Sequence, residues 1–128
     1  MIFGSQEDVL QEMSRHLRGK QCTVDFVQEE GKIMARINSF KPDVILLQLN
    51  SEVKLPIDQW VAELIKNKVA ARIIIFKAKE MRSVSFSTDI FVKRCYDNGA
   101  SGYIGEYSSA SFISQLETSL AGQALSKV

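Results

Sequence analysis

The chain has 128 residues, 45% of them hydrophobic and 24% charged, with a formal net charge of +1. That length fits one compact unit spanning residues 1 to 128, and the composition excludes the low-hydrophobicity, high-charge signature of disorder. The near-neutral charge, with Lys and Arg scattered throughout, excludes an electrostatic footprint for nucleic acid or a membrane surface, so any DNA contact is expected only through a separate C-terminal domain.

No stretch approaches the roughly 18 to 20 consecutive apolar residues of a membrane span, and Met1 to Gly4 is too short for the apolar region of a signal peptide. The cytoplasm is therefore the expected compartment. Cys22 and Cys95 lack CxxC spacing, so the sequence supports two reduced thiols and neither a zinc site nor a redox motif.

In chain order, Met1 to Phe3 reads as a short strand. Val9, Leu10, Met13 and Leu17 then recur at helical spacing and predict a helix over residues 6 to 18, with Gly19 as its stop. Cys22 to Gln28, rich in β-branched and aromatic residues, predicts a second strand; Ile33, Met34, Ile37 and Phe40 predict a second helix before Lys41-Pro42. Val44 to Leu47 is an unbroken apolar run, the pattern of a parallel strand covered on both faces. Trp60, Val61, Leu64 and Ile65 give a third helix, and Ile73 to Phe76 a second buried strand run. A helix over 87 to 98 carries the stripe Phe91, Val92, Cys95 and Tyr96 and stops at Asn98-Gly99; Gly102 to Gly105 is a fifth strand, and Phe112, Ile113, Leu116 and Leu120 mark a fifth helix.

Five strand-helix units in alternation predict an α/β flavodoxin-like fold, (βα)5, with a doubly wound parallel sheet of order 2-1-3-4-5. Functional crevices in such sheets lie outside the carboxyl ends of the strands. Here those ends are Gly4-Ser5, Gln48 to Asn50, Lys77-Ala78 and Glu106.

Two segments, Lys41-Pro42-Asp43-Val44-Ile45-Leu46-Leu47-Gln48-Leu49-Asn50 and Gly99-Ala100-Ser101-Gly102-Tyr103-Ile104, resemble receiver domains of NarL/LuxR-type bacterial response regulators. The resemblance runs through essentially the whole chain and includes Ser119 to Gly122 as the end of the last receiver helix. It implies a phosphoacceptor pocket in which an aspartate accepts the phosphoryl group, an acidic pair helps hold Mg²⁺, and a hydroxyl and a lysine meet the phosphoryl oxygens. The corresponding positions here are Gln48 for the nucleophile, Gly4 and Ser5 for the acidic pair, Lys77 for the hydroxyl residue and Glu106 for the lysine, so all five depart from the pattern. A glutamine amide cannot form an acyl phosphate, and Mg²⁺ wants carboxylate oxygens.

The resemblance therefore points to a degenerate receiver, not an enzyme and without a bound cofactor or metal. It is expected to act without phosphorylation on the dimerisation or activity of a transcription regulator. Glu7, Asp8, Glu52 and Glu80 are the carboxylates that could reach the crevice from another angle; Glu7 and Asp8 more simply serve the first turn of a helix. Lys77 and Glu106, opposite in sign on neighbouring strand ends, are candidates for an ion pair. Tyr103 matches the aromatic that receivers rotate on activation, with strand packing as the simpler role.

A homodimer is expected through the fourth and fifth helices and the strand between them, with Phe91, Tyr96, Gln115 and Thr118 as candidate contacts; core packing is the alternative for both aromatics. Residues 79 to 86 lengthen the connection after the fourth strand, either as a tolerated insertion or with Val84 and Phe86 packing over the pocket or serving a partner. The competing reading is a small-molecule sensor using the space near Gly4, Ser5, Gln48 and Asn50. A flavin or enzymatic role finds no phosphate-cradling loop, because Gly99 to Gly102 leads from a helix into a strand. His16 is the only histidine and lies on the polar side of the first helix, away from any metal or triad pattern.

Overall fold

A computed structural model of the chain describes residues 1–78, 88–120 and 126–128. The elements run β1 (Ile2–Phe3), α1 (Glu7–Gly19), β2 (Phe26–Val27), a 3-10 turn (Glu30–Lys32), α2 (Ile33–Phe40), β3 (Val44–Gln48), α3 (Ile57–Lys66), β4 (Arg72–Phe76), α4 (Thr88–Asp97), β5 (Gly102–Ile104) and α5 (Phe112–Ser119). The five strands form one sheet in the order β2-β1-β3-β4-β5, every pairing parallel. This is the flavodoxin-like fold expected from the alternation.

The core is two apolar layers separated by the sheet. Ile45 and Leu47 of β3 share one layer with Ile33, Ile37, Trp60, Val61, Leu64 and Cys95, so α2, α3 and α4 cover that face. Val44 and Leu46 share the other with Leu10, Met13, Leu17, Phe112 and Leu116, placing α1 and α5 opposite. All five residues of β3 are buried, as a strand covered on both faces requires. Cys22 and Cys95 are free and lie in opposite layers.

Two expectations change. The second strand was expected over Cys22 to Gln28 and is confined to Phe26–Val27. The chain leaves α1 through Gln21 in the left-handed region, with Cys22 N–H returned to Leu17 O at 3.1 Å, and Thr23 pairs instead with Lys127. Ile65, expected in the apolar stripe of α3, is 47% exposed. It leans over Gly99, where an added Cβ would meet Ile65 Cγ1 at 2.7 Å and where φ is +117°. Glycine is needed there on both counts.

Residues 79–86, with Glu80, Val84 and Phe86, and the Ala121-Gly122 part of the final helix pattern lie outside the described residues.

Candidate functional site

β1 and β3 pair in register, Phe3 beside Leu47, so the chain segments leaving these strands run side by side. Gln48, the last residue of β3, is 1% exposed, and its amide is satisfied on both atoms. Its Oε1 accepts from Ser5 N at 3.1 Å and Gln6 N at 3.4 Å; its Nε2 donates to Gln6 Oε1 at 2.9 Å and Asn50 Oδ1 at 3.1 Å. Asn50 carries the chain of bonds to the next strand: its Nδ2 donates to Ala78 O at 3.1 Å, and Ala78 N donates to Asn50 Oδ1 at 3.3 Å. The ends of β1, β3 and β4 are thus tied together by one neutral amide network. A buried amide bonded in this way avoids the desolvation cost of an unmade bond and is hard to move.

Gly4 belongs to the same arrangement. A Cβ built on it would lie 2.4 Å from Gln48 Oε1, 3.0 Å from Gln48 Cβ and 3.1 Å from Leu10 Cδ2. Glutamine at 48 and glycine at 4 are therefore complementary: the long amide fills the volume that any side chain on residue 4 would enter. The sequence singles out both positions as departures from the receiver pattern, and the structure adds that they share one volume.

Of the five positions, Gly4, Ser5 and Gln48 are brought into direct contact. Lys77 lies just beyond β4; its N–H donates to Ile104 O at 3.0 Å and its carbonyl accepts from Tyr107 N at 2.8 Å. Phe76 is level with Ile104, so Lys77 is level with Gly105, and Glu106 is exposed one residue further on. Glu7 and Asp8 are exposed in the first turn of α1, where negative charge is favoured. Glu52 is exposed in the loop after β3. Among the described residues no group of three or more His, Cys, Asp and Glu is placed to hold a metal ion. A polar cleft of about 260 Å³ between the start of α3 and the end of α4 is lined by Asp58, Gln59, Arg94, Asp97 and Asn98, none of which belongs to the crevice.

The loop after β3 is held from outside by a residue the sequence did not single out. Glu30 accepts from Lys54 N at 2.7 Å, Leu55 N at 2.9 Å and the Trp60 indole at 2.9 Å. These donors, led by the Lys54 N–H, keep its carboxyl below the ordinary carboxylate range. A carboxyl depressed in the folded state stabilises the fold above its unfolded value near 4.5, and that contribution disappears as pH falls through the folded value. Glu30→Gln is therefore expected to cost about 1 kcal/mol at neutral pH and to flatten the acid limb of the stability curve. Urea titrations across acidic pH check this, and an unchanged limb would refute it.

Tyr103 is half-buried against the α3–α4 layer, and its hydroxyl donates to Gly105 O at 3.2 Å. Burial, then Asp89 and Tyr96, push the phenol up. Of the candidate dimer contacts, Phe91 is half-buried against the same layer, whereas Tyr96 is 46% exposed. Ile90, which the sequence reading passed over, is 57% exposed on the same helix. Thr118 is exposed, with its hydroxyl donating to Ser114 O at 2.9 Å; Gln115 is half-buried, and its Oε1 has no hydrogen-bond donor among the described residues. His16 is engaged elsewhere on the polar surface, its Nε2 2.7 Å from Ser109 Oγ and its ring tilted against Phe112.

No helix among the described residues is long and apolar enough to cross a membrane. No protein-family model and no curated protein matches the sequence. Solved structures do match. The receiver domain of a response regulator from Bermanella marisrubri superposes with a TM-score of 0.75 at 16% identity, covering 93% of this chain and 94% of that one. A LuxR-family two-component response regulator from Aurantimonas sp. SI85-9A1 gives 0.71 at 20% identity, covering 100% and 86%. The receiver domain of the putative response regulator NarL from Mycobacterium tuberculosis gives 0.69 at 13% identity, covering 95% of each. At these identities the likeness is one of fold, and the fold this chain shares is that of response-regulator receiver domains.

Proposed function

We propose that residues 1 to 128 form a receiver-like regulatory module that works without aspartyl phosphorylation and has no enzymatic activity of its own. In this reading it acts in the cytoplasm as a homodimer and controls the assembly or activity of a transcription regulator whose DNA contacts belong to a separate domain. The observation that carries it is Gln48. In the position where a receiver needs an ionisable nucleophile stands a buried neutral amide bonded to Ser5, Gln6 and Asn50, against a glycine whose replacement by any acidic residue it blocks. Phosphoryl transfer requires concentrated negative charge met by metal and cations; the amide network offers neither a nucleophile nor a metal ligand.

The same network forms a polar link from the end of β3 to the end of β4, through Asn50 and Ala78. The module is accordingly held in one arrangement. No observation favours the alternative ligand-sensing reading, because the Gln48 amide takes the donors and acceptors a ligand in that space would use. Tyr96 and Ile90 are the exposed apolar side chains of α4 and the best-placed contacts for the dimer.

The test is sedimentation equilibrium with intact-mass measurement, before and after incubation with acetyl phosphate and Mg²⁺. The expected result is a dimer, no phosphoryl mass gain and no change in the association constant, with Tyr96→Glu weakening association at least tenfold. A phosphorylated species, or a monomer at all concentrations, overturns the reading.

A further inference from the structure

The polar cleft between the start of α3 and the end of α4 holds a buried charge that the fold leaves short of partners. Asp58 lines the cleft and is 5% exposed, yet among the described residues its carboxylate has one donor, Gln59 Nε2 at 3.4 Å from Oδ2, and no ion pair. Burying a carboxylate is costly unless it is paired and hydrogen-bonded. The first turn of α3, where Asp58 sits, favours negative charge, but that field puts no donor on the carboxylate. Burial, and then the nearby Asp58 charge, push the buried Cys95 thiol up to about 11, so the carboxylate acts toward the inner side of the cleft.

The other lining groups divide into acceptors and one cation. Gln59 and Asn98 each spend their amide nitrogen on Asp58, Gln59 on the carboxylate and Asn98 on the main-chain carbonyl at 2.8 Å, which leaves Gln59 Oε1 and Asn98 Oδ1 to accept. The Asn98 bond also fixes the α3 wall to the α4 wall. Arg94 is exposed at the cleft, and its guanidinium makes no hydrogen bond or ion pair among the described residues. Asp97 has its own cation, Lys93 at 3.9 Å.

The cleft therefore offers three acceptor groups, one of them a buried carboxylate, together with an unpaired guanidinium. An ammonium carries three donors, and a carboxylate matches the planar fork of arginine. Both occur in one small molecule in an α-amino acid. The volume of about 260 Å³ lies below the roughly 300 Å³ at which pockets for drug-sized ligands begin, so the occupant is small. A metal ion does not match, because Arg94 adds positive charge and no group of three His, Cys, Asp or Glu gathers among the described residues.

We propose that this cleft binds a free α-amino acid, its ammonium held by Asp58, Gln59 and Asn98 and its carboxylate by Arg94. The site is separate from the Gln48 network, and neither depends on the other.

The full chain is screened by thermal shift against the common L-α-amino acids one at a time. Each hit is compared with its N-acetyl derivative, which lacks the ammonium, and its amide, which lacks the carboxylate. A ligand that binds only the folded state raises the melting midpoint. At least one amino acid is expected to do so and its two derivatives are not, with the side-chain amide signals of Gln59 and Asn98 moving in the nuclear magnetic resonance spectrum. Asp58→Asn and Arg94→Gln are each expected to weaken binding at least about tenfold by calorimetry. Arg94 is exposed, so Arg94→Gln decides the matter should Asp58→Asn not fold. No response to any amino acid, an equal response to either derivative, or undiminished binding by Arg94→Gln overturns the proposal.

Discussion

Gly4→Ala is expected to destabilise the protein by about 3 to 5 kcal/mol, and most of that cost is expected to vanish when Gln48 is shortened. The added methyl would stand 2.4 Å from Gln48 Oε1, and the two atoms behind it, Gln48 Cβ and Leu10 Cδ2, leave no retreat at 3.0 and 3.1 Å. Overpacking a filled core costs about 1 to 3 kcal/mol. Moving the amide aside also breaks its bonds to Ser5 N and Gln6 N, at about 1 kcal/mol each. For a chain of this size the sum corresponds to a drop of roughly 10 °C in the melting midpoint. Gln48→Ala alone is destabilising too, since it strands those donors and opens a hole, yet in the double variant the methyl added at position 4 occupies space the amide has left. The cycle Gly4→Ala, Gln48→Ala and both together, followed by calorimetry, should show a coupling of at least about 1 kcal/mol in favour of the double variant. Strict additivity would mean that the two residues do not share one volume.

That coupling marks the boundary of what the sequence conveys. Val44 to Leu47 announced a doubly covered strand because burial on both faces leaves no polar residue in the run, and the structure buries all of β3. The spacing of Leu10, Met13 and Leu17 likewise fixed the inner face of α1, whose buried residues are those three with Ser14. What the sequence could not convey is pairing between distant segments. β2 shrinks to Phe26–Val27 because Thr23 and Asp25 spend their hydrogen bonds on Ser126 and Val128, at the opposite end of the chain and far outside the window that periodicity reads. Ser126-Lys127-Val128 has no strand signal in itself; its partners create one.

The candidate site divides in the same manner. Gly4, Ser5 and Gln48 were found because strand ends in this architecture are where function collects, and the structure does place them in contact. Their relation was not found, since a list of absent residues says nothing about what fills the space. Gln6 and Asn50, which complete the amide network, carry no signal of their own: polar residues after a strand are ordinary loop composition. Glu30 is similar, an acidic residue whose role is visible only once Lys54, Leu55 and Trp60 are seen to point at it.

Restoring an aspartate at 48 is therefore not expected to restore a receiver. Gln48→Asp places a shorter carboxylate among partners set for an amide. Ser5 N and Gln6 N suit an acceptor, but Gln6 Oε1 and Asn50 Oδ1 are acceptors themselves, at 2.9 and 3.1 Å from the Nε2 that now donates to both. Asn50 cannot turn its amide to donate without surrendering its two bonds to Ala78, so a buried negative charge faces a fixed carbonyl oxygen. Leaving one such mismatch buried costs about 1 to 3 kcal/mol, more for a charge, and a total of about 2 to 4 kcal/mol is expected by urea denaturation. Phosphorylation needs still more. Neither Gly4 nor Ser5 offers a carboxylate, so Mg²⁺ lacks its ligands. Incubated with acetyl phosphate and Mg²⁺, the Gln48→Asp protein should show no phosphoryl mass gain, and stoichiometric formation of an acyl phosphate would show that the crevice kept its catalytic parts in a form that the Gln48 amide merely silenced.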